Sequence, residues 1–406
     1  MRVLVVCALL VSVLSPASAG AQTLSLTESQ ALARLSTESP RVQAVRAAVE
    51  VVRADALAAG RWPNPRVLFN REAVAGVAEH MLMVSQVLPV TGRRRFDVSA
   101  ASARVDAAAS RADDEIRRLR ADLRLSFTDL WAAQTREREL ARSLDRLRDL
   151  TEVLGRREAA GEAAGFDRLR ADREAIDVEA DRADAAAART QAQAMLVRFF
   201  PTVPDGSIEA VMTERPPTVL PSVEDLVVRG EASRPHLLGL RYELEATTLD
   251  ERAAGRRAIP EPELFAGTKS SNAGTGDIGS VVSVHVSVPL FDRARPERAA
   301  AQARAAQVRA DTEAARLTLR AQIGGWRDAL VARRDSAARY RTAVTANAEQ
   351  IERIAQVSYE AGERGILELL DAYRIGAAAR VRQVTLDAAV RDAEIELEFV
   401  SGWEIP

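Results

Sequence analysis

Two long helical patterns, each followed by a pair of glycines, are the feature of the sequence that most restricts its fold. The first pattern covers residues 95–157 and the second covers residues 296–359. At 1.5 Å per residue, a helix of roughly sixty residues is about 90 Å long. Such a helix is too long for a compact domain of this size, so the pattern predicts a coiled-coil wall.

Apolar residues recur along one stripe of each long helix, as expected for helices that pack side by side. The predicted stripe consists of Leu119, Leu123, Leu130, Leu140, Leu144, Leu147 and Leu154 in the first helix, and of Val308, Leu317, Ile323, Leu330, Val344, Ile351 and Ile354 in the second.

Glycine pairs mark the ends of both long helices. The first pair is Gly161 and Gly165, and the second is Gly362 and Gly365. Glycine disfavours a helix interior by about 1 kcal/mol and is the usual residue where a helix ends in a left-handed turn. Each pair therefore predicts a tip at which the chain reverses into a shorter helix, at 166–199 and at 366–399.

The two halves of the chain repeat the same order of signals, which indicates a duplication. Pro89 and Pro289 are separated by 200 positions, as are the two tip glycines Gly165 and Gly365. Capping residues at Thr27 and Ser222 begin a short helix in each half. We predict a first repeat at 22–200, a linker at 201–221 and a second repeat at 222–403.

Each repeat also contains a segment in which apolar and polar residues alternate, which is the period of a β-strand. We predict one β-hairpin at about 64–90 and another at about 262–290, each leading directly into a long helix at 95 or 296. The last predicted strand has an apolar and a polar face, formed by Val282, Val284, Val286 and Val288 and by Ser283, His285 and Ser287.

Strands with one apolar and one polar face fit either a half-exposed soluble sheet or the wall of a membrane barrel. The strand pattern alone favours the soluble sheet, but the attachment of each hairpin to a long helix favours the barrel. Two separate hairpins leave free edges that a bilayer does not tolerate. Several chains would therefore have to share one barrel.

The first 21 residues have the pattern of a secretory signal peptide, with a basic start, an apolar run and small residues at Ala19 and Ala21. Cys7, the single cysteine, lies inside this run, and Val6 before it is not the small residue of a lipoprotein signal. We expect the mature chain to contain no cysteine and no lipid anchor. Disulfides and cysteine-dependent sites are then excluded.

The bulk charge excludes one class of partner. The formal net charge is −2, with 28% charged residues, so the chain lacks the basic field that nucleic-acid binding requires. His80, His236 and His285 stand in unrelated segments without a metal-ligand spacing. No residue pattern nominates a catalytic constellation, and we expect neither enzyme activity nor a cofactor.

These features together resemble the TolC family of outer-membrane efflux proteins. The resemblance covers the signal peptide, the duplicated halves, the junctions between hairpins and long helices, and the tips. Particular motifs are 62–65 (WPNP), 86–94 (QVLPVTGRR) and 288–292 (VPLFD). The segment 88–94 (LPVTGRR) is similar to the heavy-metal efflux branch, which includes CzcC and CusC, although the lipobox cysteine of many members is absent.

The resemblance implies a mainly α fold with a small β part. Long helical hairpins would form an α-barrel in the periplasm, and the β-hairpins of three chains would share a 12-stranded barrel in the outer membrane. It implies a homotrimer that contacts outer-membrane lipids and works with a periplasmic adaptor and an inner-membrane pump. Such a channel has no turnover of its own.

The resemblance also implies that the tips converge and close the periplasmic entrance. Tyr359, Arg364 and Glu368 match the pattern of the second tip, and Asp167 matches the acidic position of the first. Like carboxylates around a three-fold axis repel one another unless they are paired, so Arg364 would favour closure while the ring attracts cations. The simpler interpretation is that these are solvated charges and a packing tyrosine.

A periplasmic adaptor or coiled-coil scaffold is the alternative function, since it would also combine long helices with a signal peptide. Adaptors have one central helical hairpin, whereas this chain has two, each preceded by its own strand pair. The cargo stays open among metal ions, drugs and secreted polypeptides.

Overall fold

The computed structural model describes residues 23–35, 39–161, 165–202, 206–213 and 218–404. The predicted signal peptide lies outside these described residues. So do residues 162–164, between the glycines of the first tip, and parts of the linker.

The described chain is mainly helical with a small β part, which confirms the predicted fold class. The helices are α1 Glu28–Arg34, α2 Pro40–Ala59, α3 Arg93–Ala159, α4 Gly165–Val197, α5 Val223–Ser233, α6 Pro235–Arg256, α7 Arg295–Tyr340, α8 Ala346–Glu360 and α9 Ile366–Ser401. The strands are β1 Leu24–Thr27, β2 Arg66–Val74, β3 Val77–Val87, β4 Ile208–Val211, β5 Pro262–Ser271 and β6 Ile278–Val286. None of the described helices combines the length and hydropathy needed to cross a bilayer.

Local signals begin these helices where the sequence predicts. Thr27 forms a capping box with Gln30 at the start of α1, and the Ser222 side chain caps α5. Pro40 and Pro235 occupy the first turns of α2 and α6. These interactions involve neighbours within three residues, so the sequence alone determines them.

The helix α3 is the longest element, with 67 residues and therefore a length of about 100 Å. It packs against α2, α4, α6 and α9. Its buried face consists mainly of alanine and leucine, and small side chains let neighbouring helices approach closely. The long wall is thus built by side-by-side packing rather than by a central core.

The two predicted repeats contain comparable apolar clusters. Two apolar clusters, one in each repeat, use residues that differ by 200 positions in the numbering. The corresponding pairs are Leu123 and Ile323, Leu130 and Leu330, and Phe199 and Phe399. Trp131 and Trp326 each pack against the edge of one cluster.

The second long helix is not continuous, because a π-helical turn at Arg341–Thr345 separates α7 from α8. A π-turn adds one residue to the helical repeat, which rotates the following residues by about 100°. The predicted stripe at Val344, Ile351 and Ile354 is consequently exposed in the single chain. Leu317 of α7 is also exposed, although it precedes the π-turn. The buried face of α8 is formed instead by Ala348, Glu352 and Ala355.

The two predicted hairpins join into one antiparallel sheet in the order β2-β3-β5-β6. The central pairing between β3 and β5 runs from Glu79 opposite Ser271 to Val87 opposite Glu263. It connects the two repeats, so the hairpins are not separate within one chain. The outer edges of β2 and β6 are not paired within the described chain.

The register gives this sheet one apolar face, and that face is exposed. Val84 lies opposite Val67 on one side and Ala266 on the other, and Leu264 lies opposite Val284. The exposed apolar residues on this face are Val67, Phe69, Leu82, Val84, Leu264, Val282, Val284 and Val286. An exposed patch of this kind marks a surface that contacts a membrane or another protein.

The opposite face of the sheet is polar. Ser85 donates a hydrogen bond of 2.7 Å to Glu263, and Lys269 lies 2.7 Å from the carboxylate of Glu79. The ring of His285 lies against Phe265, with 4.2 Å between ring centroids. This is the polar side on which the sequence places His285.

A second, smaller sheet consists of the parallel pair β1 and β4. The sequence gives no expectation of β1, and it allows only a short structured insert in the linker, where β4 lies. Both strands have four residues, which is too short for a periodic pattern. Their pairing ties the start of the described chain to the segment between the repeats.

Gly267 tests the pairing between β3 and β5. A β-carbon at this position would overlap the carbonyl oxygen of Leu82 and lie 2.7 Å from the Cα of Met83. Overpacking of this kind costs about 1 to 3 kcal/mol. We expect Gly267→Ala to lower the urea midpoint of the folded protein in detergent, followed by tryptophan fluorescence.

Gly279→Ala in β6 is the matched control, because a β-carbon there has open space around it. Equal midpoints for the two variants would show that β3 and β5 do not approach each other closely at position 267.

Candidate functional site

The tips of the two helical hairpins lie together at one end of the chain. An apolar cluster joins them, with residues from α3, α4, α8 and α9. It includes Leu150, Leu154, Ala171, Ile366 and Leu369, all of which are buried. The tip of the first helical hairpin is therefore packed against the tip of the second within one chain.

The four tip glycines have two different local roles. Gly161 and Gly362 adopt left-handed conformations, with φ values of 77° and 75°, which other residues rarely adopt. Gly165 is the first residue of α4, where a β-carbon would overlap the carboxylate of Glu158. Gly365 is the extended N-cap of α9.

Tyr359 and Asp167 lie close enough to interact, although they belong to different repeats. Burial raises the pKa of Tyr359, and the Asp167 carboxylate raises it further, whereas Arg157 opposes the shift. The Arg157 guanidinium lies 5.9 Å from the centroid of the Tyr359 ring. The structure thus brings two of the four predicted entrance residues together, with Arg157 as a third that the sequence analysis missed.

Arg364 and Glu368 do not join this group in the single chain. Both side chains are exposed, and within the described residues neither has an ion-pair partner within 4 Å. The backbone N–H of Arg364 donates to the Ser358 carbonyl across the turn. Glu368 lies in the first turn of α9, where the helix dipole favours a negative charge.

Ion pairs connect the two helices of the first tip. Arg168 of α4 lies 2.6 Å from Glu158 of α3 and 3.2 Å from Asp172. It connects the helices on either side of the turn. The sequence signal that could have found it is the opposite charge of Glu158 and Arg168 on the two sides of the glycine pair.

A buried ionic cluster lies above the tips, centred on Glu352 of α8. Its carboxylate pairs with Arg146 of α3 and with Arg380 of α9, and Arg380 also lies 3.2 Å from Glu139. The side chain of Glu352 is 5% exposed. One carboxylate therefore connects three helices from both repeats.

Gly376 of α9 provides the space for this carboxylate. A β-carbon at position 376 would overlap Glu352 Oε1 and lie 2.7 Å from its Cδ. The sequence carries no signal for this cluster, because a buried glutamate in a helix of mixed charge looks the same in sequence as an exposed one. Only the rotation caused by the π-turn brings Glu352 inward.

A groove of about 690 Å³ lies beside Tyr359 at the tips and beside the ionic cluster around Glu352. It is lined mainly by charged and aromatic side chains, among them Arg157, Glu352, Arg353, Tyr359 and Tyr373. Such a surface suits polar contacts with another helix or with solutes rather than an apolar ligand.

No group of three or more His, Cys, Asp or Glu residues in the described part of the chain could hold a metal ion. His80 and His285 lie in strands of the four-stranded sheet, whereas His236 lies at the start of α6.

One carboxyl group has a strongly shifted pKa, as an acid or base in an enzyme would. Burial and the neighbouring carboxylate of Asp129 raise the pKa of Asp392 to about 6, and Arg333 and Arg391 oppose this shift. Asp392 lies in α9, away from the tips. A shifted pKa also arises in ordinary ion networks, and here packing between long helices accounts for it.

Comparison with known proteins agrees with this geometry. Residues 226–402, which form most of the second repeat, match the family of outer membrane efflux proteins. The structure of the first repeat follows the same plan, and the resemblance noted from the sequence is confirmed.

Two solved structures of outer-membrane proteins share the fold of nearly the whole chain. VceC from Vibrio cholerae superposes with a TM-score of 0.75 and 17% identity, covering 93% of this chain and 97% of that chain. CusC superposes with a TM-score of 0.76 and 16% identity, covering 92% and 91%.

A curated relative has a more specific name. The cobalt-zinc-cadmium resistance protein CzcC of Cupriavidus metallidurans is 23% identical over 290 residues, which cover 70% of this chain and 68% of that protein. Outer membrane efflux proteins thus include relatives of this chain in both sequence and fold.

The cluster around Glu352 makes a prediction for a double-mutant cycle. We expect Gly376→Ala to lower the thermal midpoint of the protein, because the new methyl group displaces a buried, paired carboxylate. Removing one partner of a buried pair costs about 3 to 5 kcal/mol. In the Glu352→Ala background, the same glycine substitution should cost much less, since the overlap is gone.

Gly324→Ala in α7 is the control, because the β-carbon enters open space. It should stabilise the helix by up to about 1 kcal/mol. Additive effects of Gly376→Ala and Glu352→Ala would contradict the close packing of these two residues.

Proposed function

We propose that the chain is the outer-membrane exit duct of a tripartite efflux system. It conducts solutes passively from an inner-membrane pump and a periplasmic adaptor to the exterior. The observation that carries this proposal is the exposed apolar face of the four-stranded sheet. Two strands of this sheet, β3 and β6, are followed in the chain by the long helices α3 and α7. An outer-membrane location of the sheet and a periplasmic location of the helices account for both features.

The free edges of the sheet support a homotrimer as part of this proposal. The unpaired edges of β2 and β6 expose backbone groups that a bilayer cannot satisfy. Pairing β2 of one copy with β6 of the next satisfies them, and three copies give about twelve strands, an even number within the range of outer-membrane barrels. The same symmetry assembles the long helices of three chains into a tube below.

The tips then form the periplasmic entrance. The Asp167 carboxylate already acts on Tyr359 within one chain by raising its pKa, whereas Arg364 and Glu368 are exposed and able to pair across copies. The turns at Gly161, Gly165, Gly362 and Gly365 permit the helices to reverse at this end. Carboxylates gathered around the axis would favour cations in the pore.

The alternative of a periplasmic adaptor or scaffold receives less support. It offers no reason for the exposed apolar face of the sheet, and the fold agrees with outer-membrane proteins over more than nine-tenths of the chain. The charged groove beside Tyr359 fits an adaptor as a partner instead.

The cargo to test first is a divalent metal cation, since one relative is named for cobalt, zinc and cadmium resistance. A strain that lacks the protein should be more sensitive to these cations than its parent. A duct conducts cargo without a stable binding site, so a metal-ligand cluster is not required.

Extraction from membranes tests the integral location. We expect the full chain to stay in the membrane fraction after high-salt washing and to be released by detergent, because the apolar face of the sheet contacts lipid. A peripheral periplasmic protein, washed under the same conditions, is the matched comparison, because high salt should release it. Release of this chain by salt alone would remove the barrel and favour the scaffold alternative.

Conductance in planar bilayers tests the entrance residues. We expect Asp167→Ala combined with Glu368→Ala to raise single-channel conductance and weaken cation selectivity, because the substitutions remove carboxylates from the narrowest part of the path. Asp177→Ala combined with Glu313→Ala, on exposed helix faces, provides a control with the same loss of charge. Unchanged conductance and selectivity in the first variant would exclude these residues from the gate.

A further inference from the structure

Positive charge is concentrated at the foot of the four-stranded sheet, where strands meet helices. We define the foot as residues 60–65, 88–97, 256–261 and 287–298. These segments contain nine arginines and four acidic residues, an excess of five positive charges in a chain with a formal net charge of −2. The foot is therefore strongly basic within a protein that is slightly acidic.

Several arginines of the foot have no carboxylate to neutralise them. Some form ion pairs, such as Arg257 with Glu297 at 3.1 Å. Four others are exposed and, within the described residues, lie more than 4 Å from any carboxylate oxygen; they are Arg61, Arg95, Arg293 and Arg295. These guanidinium groups are available to an anionic partner.

Apolar side chains are exposed among these arginines. Trp62 is 57% exposed, and the Arg94 guanidinium lies 5.6 Å from its ring centroid. Phe291 is 99% exposed, and Leu290 beside it is also exposed. Aromatic residues next to basic ones are typical of the boundary between hydrocarbon and water.

The foot also lies at the level where the apolar face ends. Val286 is the last residue of β6 and Leu264 lies near the start of β5, and the foot begins within three residues of each. At about 3.3 Å per residue, the foot begins within about 10 Å of the end of the apolar face. Lipid head groups occupy this level when the apolar face contacts acyl chains.

We propose that the foot binds the phosphate groups of anionic phospholipids in the leaflet that faces the periplasm. This inference rests on the proposed outer-membrane function. The planar guanidinium group can form two parallel hydrogen bonds with two oxygens of a phosphate. In an anionic phospholipid the head group has no positive charge of its own that would neutralise this phosphate. Trp62 and Phe291 contact the adjoining acyl chains, which a free phosphate does not have.

Native mass spectrometry of the full protein in detergent tests this binding. The protein is titrated with phosphatidylglycerol and with phosphatidylcholine of the same acyl chains. We expect the unaltered protein to bind phosphatidylglycerol more tightly than phosphatidylcholine. When Arg61, Arg95, Arg293 and Arg295 are all replaced by glutamine, the affinity for phosphatidylglycerol should fall by about tenfold or more. Binding of phosphatidylcholine should stay unchanged.

The matched control replaces four exposed arginines of α7 and α8 by glutamine. These are Arg309, Arg320, Arg339 and Arg353, which also lack an ion pair within the described residues. The control should keep the preference for phosphatidylglycerol, since these residues lie away from the foot. Glycerol 3-phosphate, added as a soluble competitor, should not displace the bound lipid.

Three outcomes would overturn the inference. The first is equal affinity of the unaltered protein for the two lipids, and the second is an equal loss of affinity for phosphatidylglycerol in both quadruple variants. The third is loss of the oligomer in the foot variant while its preference for phosphatidylglycerol remains. The last would assign the arginines to contacts between copies. In each case the unaltered protein still conducts in bilayers, so the proposed function stands. An unaltered protein that neither conducts nor stays in the membrane fraction overturns both proposals.

Discussion

The unpaired backbone groups at the two edges of the four-stranded sheet are the constraint on which the architecture depends. A bilayer core offers no hydrogen-bond partner, and each unsatisfied backbone group costs several kcal/mol there. The chain satisfies the inner strands itself by pairing β3 with β5 across the two repeats. The edges of β2 and β6 stay unpaired within the described chain, and in the proposed trimer they pair between copies, which would also bring the long helices of the three chains together.

The helical part solves a different problem, because it must hold long helices in one register without a central core. Apolar clusters in the two predicted repeats pack these helices side by side. Buried ionic groups, such as Glu352 with Arg146 and Arg380, tolerate few alternative arrangements. We infer that they specify the register near the tips rather than adding much stability, which is an established use of such pairs.

Much of the fold follows from patterns in the sequence. The long helices, the strand pairs with one apolar face, the tips and the 200-residue offset all leave periodic or local signals. The failures are informative. The stripe at Ile351 and Ile354 was misplaced because one extra residue in the π-turn changes the face of every residue after it, and no local signal marks that turn. At the tips, Tyr359 and Asp167 were predicted singly, but Arg157 and the Glu352 cluster were not.

The sequence by itself determined where helices begin, where the chain reverses and which strand faces are apolar, because these depend on side chains within a few positions of one another. Only the tertiary structure decided that the two hairpins form one sheet, that the Asp167 carboxylate lies near enough to Tyr359 to raise its pKa, and that Glu352 is buried beside Gly376. The first two arrangements involve residues more than 170 positions apart, and the third depends on helix rotation. Such contacts are set by the relative register of packed elements, which no single segment encodes.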